Sequence, residues 1–124
     1  MTHSIRVLLV DDQPTILHGL RLHLTTERDI AIAGEAADGP TAIALAMSLE
    51  PDVVVLDISM PGMDGFEAAR RIRAAGTSSI VMLSLHDDVH SRARAMSSGA
   101  HAFVSKHELT GQLVEAIRSV APSR

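Results

Sequence analysis

Short apolar runs alternate with helix-patterned stretches along this chain. Ile5–Val10 is an apolar run broken only by Arg6, and it predicts a strand. Residues 14–26 place Ile16, Leu17, Leu20 and Leu24 on one helical face, with Pro14 suited to a first helical turn. Ile30–Ala36 predicts a second strand. Gly39-Pro40 reads as punctuation, and residues 41–49 as a helix with Ile43, Ala46 and Met47 on one face, stopped by Pro51. Residues 53–56 are continuously apolar, as expected of a strand covered on both faces. Pro61-Gly62 and Asp64-Gly65 mark turns before a helix over 66–75, in which Phe66, Ala69 and Ile72 share a side. A strand over 80–83, a helix over 87–97 ended by Gly99, a strand over 102–104 and a helix over 108–120 complete the pattern. Leu109, Leu113, Ile117 and Val120 repeat at helical spacing in the last helix. The tail Ala121-Pro122-Ser123-Arg124 reads as the start of a linker.

Five strands alternating with five helices imply an α/β fold, a parallel sheet with helices on both faces. Right-handed crossovers make that sheet doubly wound. Such sheets bind ligands beyond the carboxyl ends of their strands. At those ends stand Asp11 and Asp12 after the first strand, Asp57 after the third, Ser84 after the fourth, and Ser105 and Lys106 after the fifth. The opposite ends carry no such cluster. Asp11-Asp12 alone reads as a turn and cap, Lys106 alone as a solvated lysine, and Phe103 alone as core; the shared strand-end position is what singles out the acids and the lysine.

Three carboxylates in one place repel, and one would take up a proton unless a cation intervened. An oxygen-only donor set suits Mg²⁺ or Mn²⁺, held by Asp12 and Asp57 with Asp11 in support. Aspartate is also a nucleophile toward phosphorus, and phosphoryl transfer needs positioning and charge neutralisation above all. Lys106 and Ser84 can supply a cation and a donor for that purpose.

Composition narrows the classes further. The chain has 124 residues, enough for one domain, and no cysteine, which excludes disulfides and thiolate chemistry. No apolar run approaches a signal core or membrane span, so a cytoplasmic protein without membrane contact is expected. Net charge is -4, basic residues are scattered along the sequence, and Phe66 and Phe103 are the only aromatics. The domain itself is therefore expected not to bind nucleic acid. The seven histidines show no ligand spacing and read mostly as surface residues, with His86 nearest the acidic rim. Met60 and Met63 read as loop packing, Asp64-Gly65 as a turn and cap, and Ser105 with Glu108 as a capping box.

Asp11-Asp12, the stretch from Leu56 through Asp57 to Gly65, Ser84 and Lys106 together resemble the signature of response-regulator receiver domains, over the whole chain and in order. Asp11-Asp12-Gln13-Pro14, residues 34–39, residues 71–74 and Ser98-Gly99-Ala100 are similar to the NarL/LuxR-type subgroup. The resemblance implies the flavodoxin/CheY-like sheet order 2-1-3-4-5 and a receiver over residues 1–120. It implies Asp57 as phosphoacceptor, with a histidine kinase as donor. Asp11, Asp12, Asp57 and the Ser59 backbone carbonyl would hold the metal. Ser84 and Phe103 would form a switch pair, the ring turning inward as the hydroxyl moves to the phosphoryl group, with Lys106 pairing a phosphoryl oxygen. Ser59 and His86 occupy positions that tune dephosphorylation. The output would be a helix-turn-helix DNA-binding domain beyond this chain, with dimerisation on phosphorylation; a stand-alone relay is the alternative. The domain itself is expected to be no enzyme beyond assisting its own phosphorylation and dephosphorylation. Leu85 departs from the small residue usual after the hydroxyl, and His107 from the proline many receivers carry after the lysine.

Other classes fit less well. A haloacid-dehalogenase-type phosphatase needs a second aspartate where Ser59 stands, and a cap for which the chain has no room. A flavodoxin-like nucleotide binder needs a phosphate loop after the first strand, where Asp11-Asp12 would repel phosphate. A receiver-like scaffold that never takes phosphate would not need the full acidic set and Lys106.

Overall fold

The computed structural model describes residues 4–85 and 89–122. The expected roles of His86 and of a helix start at Asp87 fall outside the described residues. In chain order the elements are β1 (Ile5–Val10), α1 (Pro14–Leu24), β2 (Ile30–Ala36), α2 (Gly39–Leu49), β3 (Val53–Asp57) and α3 (Gly65–Ala75). Then come β4 (Ser79–Ser84), α4 (Val89–Ser97), β5 (Ala102–Ser105), a 3₁₀ turn (Lys106–Glu108) and α5 (Leu109–Val120). The five strands form one sheet, all pairs parallel, in the order β2-β1-β3-β4-β5.

Side-chain alternation splits the core into two layers. Val7, Leu9, Val53, Val55, Val81 and Leu83 face Leu20 and Leu24 of α1 and Leu113 and Ile117 of α5. Leu8, Val54, Leu56, Ile80 and Met82 face the layer made by α2, α3 and α4. β3 and β4 are buried along their whole length because helices cover both faces. Truncating a residue such as Leu56, which has no exposed surface, would cost about 2–5 kcal/mol.

Several local expectations need correction. Gly39-Pro40 is no break; both lie in the first turn of α2, where proline's missing N–H is harmless, and Asp38 caps it by accepting the Thr41 N–H at 2.8 Å. Of the predicted face of α2, Ala46 is buried and Ile43 packs against the core, but Met47 is 61 % exposed; Gly39 and Ala42 are buried as well. Residues 25–26 lie past the end of α1. Ser105 and Glu108 form no capping box, because a 3₁₀ turn precedes α5 and Ser105 accepts the His107 N–H at 3.2 Å. At the end of α4, Gly99 has φ +110°, and Gly99 and Ala100 donate to the Met96 and Ala95 carbonyls at 3.2 and 3.1 Å. That paired closure needs the left-handed conformation glycine adopts freely.

Candidate functional site

The parallel register delivers the predicted rim. β1 ends before Asp11, β3 ends on Asp57 beside Leu83 of β4, and Ser84 pairs with Ser105 just before Lys106. Asp11, Asp12 and Asp57 each offer an oxygen such that all lie within 4.8 Å of one another. Lys106 Nζ sits 3.0 Å from Asp11 Oδ2 and 3.1 Å from Asp57 Oδ1. Asp11 and Asp57 are buried, and Asp12 is half-buried.

Local hydrogen bonds aim the acids. Asp11 Oδ1 accepts the Gln13 N–H at 2.9 Å, folding the chain into α1. Asp57 Oδ1 accepts the Ser59 N–H at 3.2 Å. Asp11 Oδ2 is buried, with the lysine ammonium as its partner at 3.0 Å. Three carboxylates against one ammonium leave two surplus negative charges when all are ionised. Burial pushes the Asp57 carboxyl above the usual carboxylate range, and the neighbouring Asp11 charge adds to this; Lys106 and the Ser59 amide pull the other way without prevailing. Burial works against the Lys106 ammonium, but its pairing with Asp11 and Asp57 prevails and holds it above the usual lysine range. A surplus of two charges and an oxygen-only donor set fit one hard divalent cation.

The other predicted residues are placed around this core. Ser84 is buried at the end of β4. Phe103 pairs with Met82 in the ladder, two residues before Ser105, so it shares with Ser84 the sheet face beneath α4. Its ring is buried, and the Arg92 guanidinium lies 4.7 Å from the ring centroid. Ser59 is exposed next to the site, and Leu85 is 57 % exposed. Met60 is buried and Met63 packs against the start of α2, so both serve loop packing.

The family model of the response regulator receiver domain matches residues 7–118. This chain belongs to that family. It is a receiver domain of the two-component type, with the expected sheet order and NarL/LuxR-type relatives. It is 39% identical over 117 residues to the response regulator UvrY of Escherichia coli, covering 94% of this chain and 54% of the relative. It is 38% identical over 119 residues to the uncharacterized transcriptional regulatory protein YxjL of Bacillus subtilis, covering 95% and 55%. The crystal structure of a LuxR-family two-component response regulator from Aurantimonas superimposes with TM-score 0.90 at 34% identity, over 94% of this chain and 84% of that one. The receiver spans about half the length of the two relatives. Among its described residues, no helix is long and apolar enough to cross a membrane.

Two residues of the receiver matter more than the sequence pattern indicates. A β-carbon on Gly65 would lie 2.4 Å from the Asp57 carbonyl oxygen and 2.6 Å from the Ile58 Cα. Gly65 is thus required for α3 to start directly against the Asp57 backbone, a close approach no local spacing reveals. His101 is not a plain surface histidine: its Nδ1 accepts the Ile80 N–H at 3.0 Å, while its own N–H donates to the Ile80 carbonyl at 2.7 Å.

Proposed function

We propose that this receiver is switched by phosphorylation of Asp57. The observation that carries the reading is the rim itself, where three carboxylates converge and the one ammonium, Lys106, pairs with Asp11 and Asp57. An Asp57 oxygen attacks phosphorus, the donor's bond to phosphorus breaks, and an acyl phosphate forms on Asp57. The immediate donor in the cell is a phosphohistidine of a sensor kinase. Lys106, already 3.1 Å from Asp57, pairs with a phosphoryl oxygen, and the Ser84 hydroxyl donates to another.

Asp12, Asp57 and the Ser59 carbonyl would hold Mg²⁺ (or Mn²⁺), with Asp11 in support. Bound there, the metal neutralises charge on the rim and on the incoming phosphoryl oxygens. Ser59 and His86 tune the lifetime of the acyl phosphate. As Ser84 is drawn to the phosphoryl group, Phe103 packs further inward, which changes the surface of α4, β5 and α5. The domain acts as a cytoplasmic signalling phosphoacceptor that promotes only its own phosphorylation and dephosphorylation. Its output is transcription regulation through a helix-turn-helix DNA-binding domain joined beyond residues 121–124, with dimerisation on phosphorylation. The relatives' names and their greater length support that reading.

Incubation with acetyl phosphate and Mg²⁺ should add one phosphoryl mass to the intact protein. Asp57→Asn should take none; equal labelling of that variant would defeat the assignment.

A further inference from the structure

Arg94 of α4 grips α3 on both sides of Gly65. Its guanidinium lies 4.2 Å from the centroid of the buried Phe66 ring. Its Nη2 is 3.9 Å from Asp64 Oδ2, while Asp64 Oδ1 caps α3 by accepting the Glu67 N–H at 2.9 Å. Between the two gripped residues, Gly65 donates its N–H to the Ile58 carbonyl at 2.8 Å and has no space before the Asp57 carbonyl. These are backbone contacts, which yield far less than a flexible side chain would. Arg94 thus touches the residues on either side of Gly65, and Gly65 lies directly against the backbone of Asp57 and Ile58.

α4 is otherwise lightly held. Ala95 is its one buried residue, while Val89 and Met96 are 80 % and 50 % exposed. Residues two apart on a helix point roughly 200° from each other, so Arg92 and Arg94 flank Ala95 on opposite sides. Arg92 covers Phe103 of β5 and Arg94 covers Phe66 of α3. The chain has no tyrosine or tryptophan, so α4 straddles both of its phenyl rings.

We propose that Arg94 is a positioning residue that couples the placement of α4 to the reactivity of Asp57 through Phe66, Asp64 and Gly65. This route is separate from the Ser84 and Phe103 pair, and its effect on rate rests on Asp57 being the phosphoacceptor. By linkage the coupling runs both ways: a change at Asp57 alters the hold of Arg94 on α3. A cation–π contact at an exposed position corresponds to a factor of about two to five in an equilibrium or rate.

The test uses the whole chain as wild type, Arg94→Ala, Arg94→Lys, Phe66→Leu and the Arg94→Ala/Phe66→Leu double variant. Without metal or phosphodonor, Arg94→Ala should shift the amide resonances of Asp57, Ile58 and Gly65. With Mg²⁺ and acetyl phosphate it should slow labelling about two- to fivefold. Arg94→Lys keeps the cation and should restore most of the rate. The double variant should be no slower than the slower single one, as expected for two residues acting through one contact. The melting midpoint of Arg94→Ala should stay close to wild type, because the side chain is 62 % exposed; a merely structural role would not separate rate from stability this way. Unmoved resonances at those three amides, or a wild-type labelling rate in Arg94→Ala, would overturn the proposal. Should the wild type take no phosphoryl group, the phosphoacceptor reading fails, and the amide shifts alone decide the coupling.

Discussion

The two ends of the sheet handle polar groups in opposite ways. At the amino ends, polar side chains tie separate elements together. Asp52 Oδ2 accepts the Arg6 N–H at 2.9 Å, and the Arg6 guanidinium donates to the Leu49 and Glu50 carbonyls at 2.7 and 3.1 Å. Ser78 and Ser79 donate to the Pro51 and Val120 carbonyls, each at 2.7 Å. At the carboxyl ends, two buried carboxylates share one ammonium beside a half-buried third, and the buried Asp11 Oδ2 has only that ammonium for a partner. The strands are the same, yet polarity at one rim is spent on stability and at the other is held in reserve for a ligand. Functional sites commonly break the rule of full satisfaction that the rest of a fold obeys.

The contrast can be pressed experimentally, beginning where packing and chemistry meet. Gly65→Ala forces a β-carbon against the Asp57 carbonyl and should cost about 3 kcal/mol of unfolding free energy in urea, with slower phosphoryl labelling. Wild-type stability in that variant would mean the close approach is not binding. Asp52→Ala, at the opposite rim, should cost about 2 kcal/mol by stripping the Arg6 amide of its acceptor. Its labelling rate should not change; a slowed rate would break the division between the rims.

Asp57→Asn should act with the opposite sign. The folded-state Asp57 binds its proton more tightly than the unfolded one, so ionising it as pH rises lowers stability. The metal-free asparagine variant should therefore melt higher than wild type near neutral pH. The gap should close as pH falls through the carboxylate range. Millimolar Mg²⁺ should raise the wild-type midpoint and leave the variant nearly unmoved. A variant that melts lower at neutral pH without metal would show that the rim is not strained.

The smallest effect belongs to His101. Desolvation first, then the Arg73 cation, lowers its folded-state pKa, so the unfolded chain binds the extra proton more readily. Its contribution is present above the ordinary histidine value near 6.5 and fades as pH falls below it. Replacing His101 with Gln should flatten the pH dependence of the melting midpoint between about pH 6.5 and 5. An unchanged slope would remove His101 from the account.

The parallel sheet and the acidic rim were readable because they rest on periodicity and on which residues end each strand; the strand order came only with the family resemblance. Val53 to Leu56 read as a doubly covered strand, which put Asp57 at its carboxyl end on the rim. What escaped was tertiary. Gly65 looks like any turn glycine until α3 is seen against Asp57. Arg92 and Arg94 read as scattered charges, and only the fold sets them over the two rings. His101 joins the ladder through a bond that no spacing encodes. Gly39-Pro40 misled because the same dipeptide serves a turn or a helix start, and the Asp38 cap decides which.

Chemical trapping tests the central claim most directly. Borohydride reduces an acyl phosphate to an alcohol, converting the phosphorylated aspartate to homoserine. After treatment with acetyl phosphate and Mg²⁺, peptide mass analysis should find homoserine at position 57 and unmodified aspartate at 11 and 12. Homoserine at 11 or 12, or at none of the three, would contradict the account.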